Sequence, residues 1–283
     1  MPELPEVETI ARGLAGLVGC RIGKVTVGPH EWVRTPPPSA GAHLEGRRIA
    51  AVTRHGKRLL FRLEPEGELV VQLGMSGQIT VPPRTAPLAS HTHLRLELEN
   101  RPDELRFRDA RRFGGAWVRP AGASVEEAVA RHGSRGLGDL GPDALTIGRA
   151  EFRRLLARDR QIKALLLDQT AVSGIGNIYC DEALFQACVH PLRKAGSLSA
   201  DRVDALHGAL RRILRRAIRA GGSTLRDYVD ASGGAGRFQT RHQVYGREGQ
   251  PCPRCGARIA RIPIAGRSTH LCRRCQRAPR RPR

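Results

Sequence analysis

Two C-x2-C pairs near the C-terminus, Cys252-Pro253-Arg254-Cys255 and Cys272-Arg273-Arg274-Cys275, limit the folds open to this chain more than any other feature. Sixteen residues separate the pairs, a distance at which two β-turn knuckles converge on one tetrahedral ion. Four thiolates close the coordination shell, so the pattern predicts a single structural Zn2+ held by Cys252, Cys255, Cys272 and Cys275, with disulfides as the competing explanation. Cys20, Cys180 and Cys188 bring the total to an odd seven, which reads as free thiols in a reducing compartment. The ion supplies folding free energy to a segment with few large apolar residues. Between the knuckles, residues 258–269 read as a β-hairpin turning at Ala265-Gly266, which pushes Arg267 forward.

The rest of the composition narrows the partner. The 283 residues carry a net charge of +21, and residues 237–283 alone hold 13 arginines against one acid, Glu248. Such a footprint implies a polyanionic partner, with Arg277 to Arg283 reading as a solvated basic tail. A hydrophobic content of 40% excludes wholesale disorder, and no apolar run suits a membrane span or a signal peptide. The expectation is a soluble, intracellular protein with length enough for two cores and no membrane contact.

At the other end stands Met1-Pro2-Glu3-Leu4-Pro5-Glu6-Val7-Glu8. Loss of the initiator Met would leave Pro2 with a free secondary amine, and an α-amino group titrates near ~7.7–8.0 against ~10.4 for a lysine. A neutral secondary amine attacking a sugar aldehyde carbon gives an iminium, and Glu3 beside it is suited to shuttle protons. The plainer explanation is a Pro at a first helical turn whose acids complement the helix N-terminus.

Alternation at Leu94, Leu96 and Leu98, with similar runs at Leu59 to Leu63 and Leu69 to Leu73, predicts half-buried strands in the N-terminal half. Gly74-Met75-Ser76-Gly77 and Arg111-Arg112-Phe113-Gly114-Gly115 fall between such runs and read as loops. Their apolar tips suit either a lid over the core or wedges that enter a base stack and fill the hole left by an extruded nucleotide. Residues 121–149, with Gly136 to Pro142, read as a connection. Helical periodicity follows, broken by Gly174-Ile175-Gly176-Asn177, where backbone N–H groups and the Asn177 amide suit a phosphate cradle or a simple chain reversal. A long helix is predicted from about Ala200 to Ala220, with its arginines on a solvated face. The chain has 44 arginines and only four lysines, which singles out Lys57 and Lys163 as places where a compact ammonium is wanted.

Taken together, Pro-Glu-Leu-Pro-Glu-Val-Glu, His-Gly-Lys-Arg, Leu-Gly-Met-Ser-Gly, Gly-Ile-Gly-Asn-Ile-Tyr and the four-Cys finger containing Gly-Arg-Ser-Thr make the chain resemble, from end to end, the bacterial formamidopyrimidine-DNA glycosylases. The resemblance implies an α+β protein: an N-terminal β-sandwich with flanking helices (1–135), a linker (136–149), a helix-two-turn-helix domain with a lesion-capping loop (150–236), and a β-hairpin zinc finger with basic tail (237–283). It implies a cytoplasmic, nucleoid-associated base-excision-repair enzyme, a combined glycosylase and AP lyase that removes oxidised purines from duplex DNA. In that reading Pro2 is the nucleophile at C1′ and Glu3 the acid/base. Lys57 assists proton transfer or meets the lesion-strand phosphate, and Lys163, Asn177 and Arg267 grip phosphates, Arg267 counting with the catalytic set. Met75, Arg111 and Phe113 fill the void, Arg111 facing the orphaned cytosine, while His93 and Arg112 are further DNA contacts. Glu6 either takes part or buttresses the site.

The family's lesion loop corresponds to Ser223–Phe238; its Ser232-Gly233-Gly234-Ala235-Gly236 run costs more entropy to order, and Arg237 stands where an aromatic residue is frequent, which predicts looser or broader capture of the lesion. Three other readings compete: a sister enzyme for oxidised pyrimidines, which Leu4 disfavours; a catalytically silent zinc-dependent DNA-binding protein; and a basic structural protein of ribosomes or chromatin. A monomer is the default.

Overall fold

The computed structural model describes residues 2–28, 33–34, 39–120 and 140–279. Packing groups the chain into two compact units, one of Met1–Asp139 with Ala220–Arg237 and one of Leu140–Arg219 with Phe238–Arg283. Of the expected linker, 136–149, residues 136–139 lie outside the described residues, as do Met1 and the last four residues of the basic tail.

The first unit opens with helix α1 (Leu4–Gly13), whose apolar side buries Leu4, Val7, Ile10 and Ala11. Two sheets follow. One is four-stranded in the order β1 (Ile22–Val27), β7 (Thr92–Leu98), β8 (Glu104–Arg108), β6 (Gln78–Thr80); short helix α2 (Ala40–Leu44) comes later in the chain than β1 and packs against it. The other is five-stranded in the order β2 (Val33–Arg34), β9 (Gly115–Pro120), β5 (Gly67–Gln72), β4 (Arg58–Glu64), β3 (Arg48–His55). Period-2 alternation places Leu59, Phe61 and Leu63 of β4 and Leu94, Leu96 and Leu98 of β7 in one shared core, so the sheets face each other as the expected sandwich. On the outer side of β8 the carboxylate of Glu104, with no exposed surface, takes Arg106 Nε at 2.6 Å and Arg95 Nη2 at 3.0 Å. Two guanidiniums offset the desolvation of that one buried charge.

The segment Ala220–Arg237 packs in this unit rather than with the helices that precede it in the chain. The reason is local. Tyr228 Oη donates to Gly221 O at 3.0 Å, Val81 N donates to Ala231 O at 3.2 Å, and Ala231 is buried beside α1 and β6. Burial first, and the nearby Glu6 charge second, push the Tyr228 phenol well above its ordinary range, so it stays a neutral donor.

The second unit is helical: α3 (Arg149–Leu156), α4 (Ile162–Leu167), α5 (Asn177–Gln186) and α6 (Ala200–Arg219). Helix α6 buries Val203, Leu206, Leu210, Ile213, Leu214, Ala217 and Ile218, the predicted stripe, while Arg212, Arg215, Arg216 and Arg219 are exposed. The same unit ends in hairpin β10 (Ala260–Ile264) and β11 (Arg267–Leu271), joined by the expected Ala265-Gly266 turn with both residues at positive φ. Among the described residues, no helix is long and apolar enough to cross a membrane.

His242 sits buried between Phe238 and Tyr245, both edge-on with ring centroids 5.7 Å away. Burial is the main cause that pulls its pKa down to about 4. The unfolded chain takes up a proton near pH ~6.5 whereas the folded chain does not, so this stabilisation is complete above that pH and is lost as pH falls towards about 4. The loss is on the order of 3 kcal/mol. Denaturant unfolding of the native chain and of His242→Phe from pH 7 down to pH 4.5 is expected to show the native chain losing stability faster; parallel curves would contradict the burial argument.

Candidate active site and nucleic-acid interface

The chain's first turn is built around two carboxylates. Glu3 and Glu6 form a reciprocal capping box at the start of α1, with Glu3 N donating to Glu6 Oε2 at 2.8 Å. The other oxygen of Glu6 accepts Ser223 N at 2.7 Å, so one carboxylate ties the N-terminal turn to the Ala220–Arg237 segment. Glu3 and Glu6 are 3% and 1% exposed, and Pro2 is buried beside them. Gly222, at φ 80°, closes this contact: a Cβ there would stand 2.9 Å from Glu6 Oε1. Glu6 thus braces the N-terminal turn against the Ala220–Arg237 segment.

Lys57 stands at the tip of the β3–β4 hairpin, where His55 pairs with Arg58 across Gly56-Lys57 and Gly56 has φ 56°. Arg54 fixes that tip. Its Nε meets Glu8 Oε2 of α1 at 2.9 Å and its Nη1 donates to Gly56 O at 2.9 Å, so the helix that follows Pro2 and the turn that carries Lys57 are joined by one guanidinium.

The two proposed wedge loops are locked to each other through Asp109, which has no exposed surface. Ser76 Oγ donates to Asp109 Oδ1 at 2.6 Å, Gly114 N donates to Asp109 Oδ2 at 2.8 Å, and Ser76 Oγ in turn accepts Arg111 N at 3.1 Å. Backbones touch where a side chain would collide: Gly74 has φ 61°, and a Cβ there would lie 2.4 Å from Gly114 N. The frame leaves Met75 39% and Phe113 57% exposed, with the Arg111 guanidinium 4.9 Å over the Phe113 ring. Arg112, exposed and at φ 55°, follows directly. His93 does not join this surface. It is 2% exposed with Nε2 3.0 Å from Asp109 O, beneath the loops.

The glycine-rich lesion loop is not loosely held. Asp230 Oδ1 accepts Ser232 N, Ser232 Oγ and Gly234 N at 2.9, 2.7 and 2.8 Å, and Gly236 N donates to Thr224 Oγ1 at 2.8 Å. One aspartate organises the glycine run locally.

In the second unit Lys163 forms a buried ion pair. Lys163 has no exposed side-chain surface, and its Nζ lies 2.6 Å from Asp181 Oδ1. Asp181 Oδ2 accepts His270 N from β11 at 2.8 Å, and Asn177 Nδ2, at the start of α5, donates to Ser268 O at 2.8 Å. Lys163 thus supports the hairpin from below, and Asn177 sits at the edge of the same hairpin. Arg267, first residue of β11, is exposed. Beneath the glycine turn, Gln169 accepts Gly174 N at 3.0 Å and donates to Ile175 O at 2.9 Å. Glu182 accepts the N–H groups of Gln243, Val244 and Tyr245 at 2.9–3.0 Å, anchoring the approach to the finger. Asp109, Asp181 and Glu182 carried no motif in the sequence, and only their folded surroundings reveal them.

The four predicted ligands converge. The sulfurs of Cys252, Cys255, Cys272 and Cys275 all lie within 4.8 Å of one another, with Cys252–Cys275 at 3.9 Å and Cys255–Cys272 at 3.5 Å. A tetrahedron with Zn–S bonds of about 2.3 Å has edges of about 3.8 Å, so the donor set fits one zinc ion with no position left for a substrate.

A sandwich carrying an acid-flanked Pro2 ahead of its first helix, and a helical unit ending in a four-Cys hairpin, define the class of DNA glycosylases with an H2TH domain and a zinc finger. The family patterns described as "Formamidopyrimidine-DNA glycosylase N-terminal domain", "Formamidopyrimidine-DNA glycosylase H2TH domain" and "Zinc finger found in FPG and IleRS" match residues 1–116, 140–229 and 249–278. Proteins named formamidopyrimidine-DNA glycosylase from a Roseiflexus species and from Thermomicrobium roseum are each 46% identical, spanning 98% of this chain and 100% and 99% of their own. The crystal structure of the Thermus thermophilus MutM (Fpg) protein superposes with TM-score 0.82 at 44% identity, covering 97% of this chain and 98% of that one. A Lactococcus lactis Fpg variant in complex with a Fapy-dG-containing DNA gives TM-score 0.86 at 34% identity, covering 98% of this chain and 100% of that one. The chain belongs to the formamidopyrimidine-DNA glycosylase family, and it is an enzyme of that kind.

The two roles assigned to cations separate by stability. Lys163→Met leaves Asp181 uncompensated and is expected to cost about 3–5 kcal/mol in urea unfolding, while Arg267→Ala stays within about 0.5 kcal/mol. Equal costs would return Lys163 to the surface set. Chelation of zinc is expected to unfold the finger hairpin, seen as a loss of protection of β10 and β11 amides from hydrogen exchange, with the sandwich amides unchanged.

Proposed function

We propose that the enzyme excises oxidised purines, 8-oxoguanine and formamidopyrimidines, from duplex DNA and then cuts the strand, using Pro2 as nucleophile. What carries the reading is the Pro2-Glu3-Glu6 turn: a buried acid directly beside the N-terminal imino group, held in place by a capping box. With Met1 removed, the Pro2 nitrogen attacks C1′ as the bond to the damaged base breaks and the base departs with a proton. Glu3 gives a proton to O4′ as the ring opens, and the nitrogen lone pair forms the C1′=N+ iminium. Loss of a C2′ proton expels the 3′ phosphate, a second elimination expels the 5′ phosphate, and water releases the sugar fragment from Pro2.

Around that chemistry, Lys57 at its braced hairpin tip serves the lesion-strand phosphate or the proton transfers. Met75 and Phe113 enter the stack with Arg111, which hydrogen-bonds the orphaned cytosine, and Arg112 adds a backbone contact. Extrusion costs a few kcal/mol, least for a damaged base. Arg267 and the second N–H of the Asn177 amide suit phosphate oxygens, so affinity is expected to fall steeply with salt. Zinc when bound fixes the finger hairpin and leaves the bond-breaking steps to the N-terminus.

The test is borohydride trapping on a duplex holding 8-oxoguanine opposite cytosine, followed by mass spectrometry of the adduct. An adduct on residue 2, absent in Pro2→Gly and accompanied by ends phosphorylated on both sides of a gap, is the expected result. Trapping with thymine glycol alone would move the enzyme to oxidised pyrimidines, and binding without any adduct would make it a non-catalytic DNA-binding protein.

A further inference from the structure

We infer that Asp109, with Ser76, is the positioning element that makes the Met75 loop and the Arg111–Phe113 loop act as one body, and so sets both base extrusion and the choice of opposite base. The inference rests on the proposed role of Met75, Arg111 and Phe113 as wedges.

Those three side chains are exposed, so packing cannot hold them in place; their aim must come from the backbones beneath. Every polar group of Asp109 is committed to that task. Its N donates to His91 O at 3.0 Å, its carbonyl takes His93 Nε2 at 3.0 Å and Arg112 N at 3.3 Å, and its two carboxylate oxygens take Ser76 Oγ and Gly114 N. Ser76 completes the link by accepting Arg111 N while donating to Asp109, so the residue after Met75 holds the backbone of the arginine that faces the orphaned base. Asp109 and Ser76 are 0% and 5% exposed, which removes water as a competitor for these bonds. Only a carboxylate offers two acceptors here: an amide at position 109 would turn an N–H toward either Gly114 N–H or the serine hydroxyl. Loosening the brace lets two wedges that must enter one stack arrive separately, and it blurs the placement of Arg111 against its base.

The experiment uses the full-length zinc-loaded enzyme, its Ser76→Ala, Asp109→Asn and Phe113→Ala variants, and duplexes with 8-oxoguanine opposite cytosine or adenine. 2-Aminopurine beside the lesion reports extrusion by stopped flow, and cleavage of an abasic duplex provides a substrate with no base to extrude. Ser76→Ala and Asp109→Asn are expected to slow extrusion and excision by about ten- to a hundredfold, to flatten the cytosine-over-adenine preference, and to slow abasic cleavage much less. Should Asp109→Asn fail to fold, Ser76→Ala, which keeps the Gly114 bond, decides. Equal losses on lesion and abasic duplexes with the preference intact would mark a general structural role and overturn the inference. Normal extrusion by both brace variants alongside slow extrusion by Phe113→Ala would overturn the inference alone, and normal extrusion by Phe113→Ala would overturn the wedge reading beneath it.

Discussion

The interaction on which this structure turns is the hydrogen bond from a backbone N–H to a buried carboxylate. Glu6 accepts from Glu3 and Ser223, Asp109 from Gly114, Asp181 from His270, and Glu182 from three successive residues. Such bonds are charge-assisted and unscreened, so each fixes a loop more firmly than a neutral pair would. In a chain with 27 acids against 48 lysines and arginines, spending these acids inside does two things at once. It orders mostly irregular backbone, with His270 of β11 the exception, and it strips negative charge from the surface that is to meet a polyanion.

The parts of the protein legible in the sequence were those whose physics is local. Cysteine spacing announced the finger, alternation announced β4 and β7, and a 3.6-residue stripe announced the long helix, because each pattern is complete within about twenty residues. The candidate residues were legible as identities and less so as directions. Lys163 stood out by its rarity, yet whether its ammonium faced water or a carboxylate depended on Asp181 on another helix. His93 carried the polar side chain of a DNA contact, yet the carbonyl it meets belongs to Asp109, 16 residues away. Ser223 and Glu6 are separated by 217 positions, a pairing that no window along the chain contains.

Two readings lacked the same kind of partner. Lys163 was singled out by the rarity of lysine and Ser232–Gly236 by its glycines, and neither reading included the acid that the residues meet. In both places one aspartate, Asp181 or Asp230, offers a carboxylate that a positive or N–H group can reach. A buried acid is thus the counterpart that sequence reading most needs and least often finds.

The Ser232–Gly236 turn of the lesion loop is held by hydrogen bonds rather than by packing. Ser232, Gly233 and Ala235 are exposed, so releasing this turn from Asp230 uncovers almost no apolar surface and changes the heat capacity little. Its opening equilibrium then lacks the curvature with temperature that hydrophobic closure imposes, and varies with a nearly constant enthalpy across the growth range of its host.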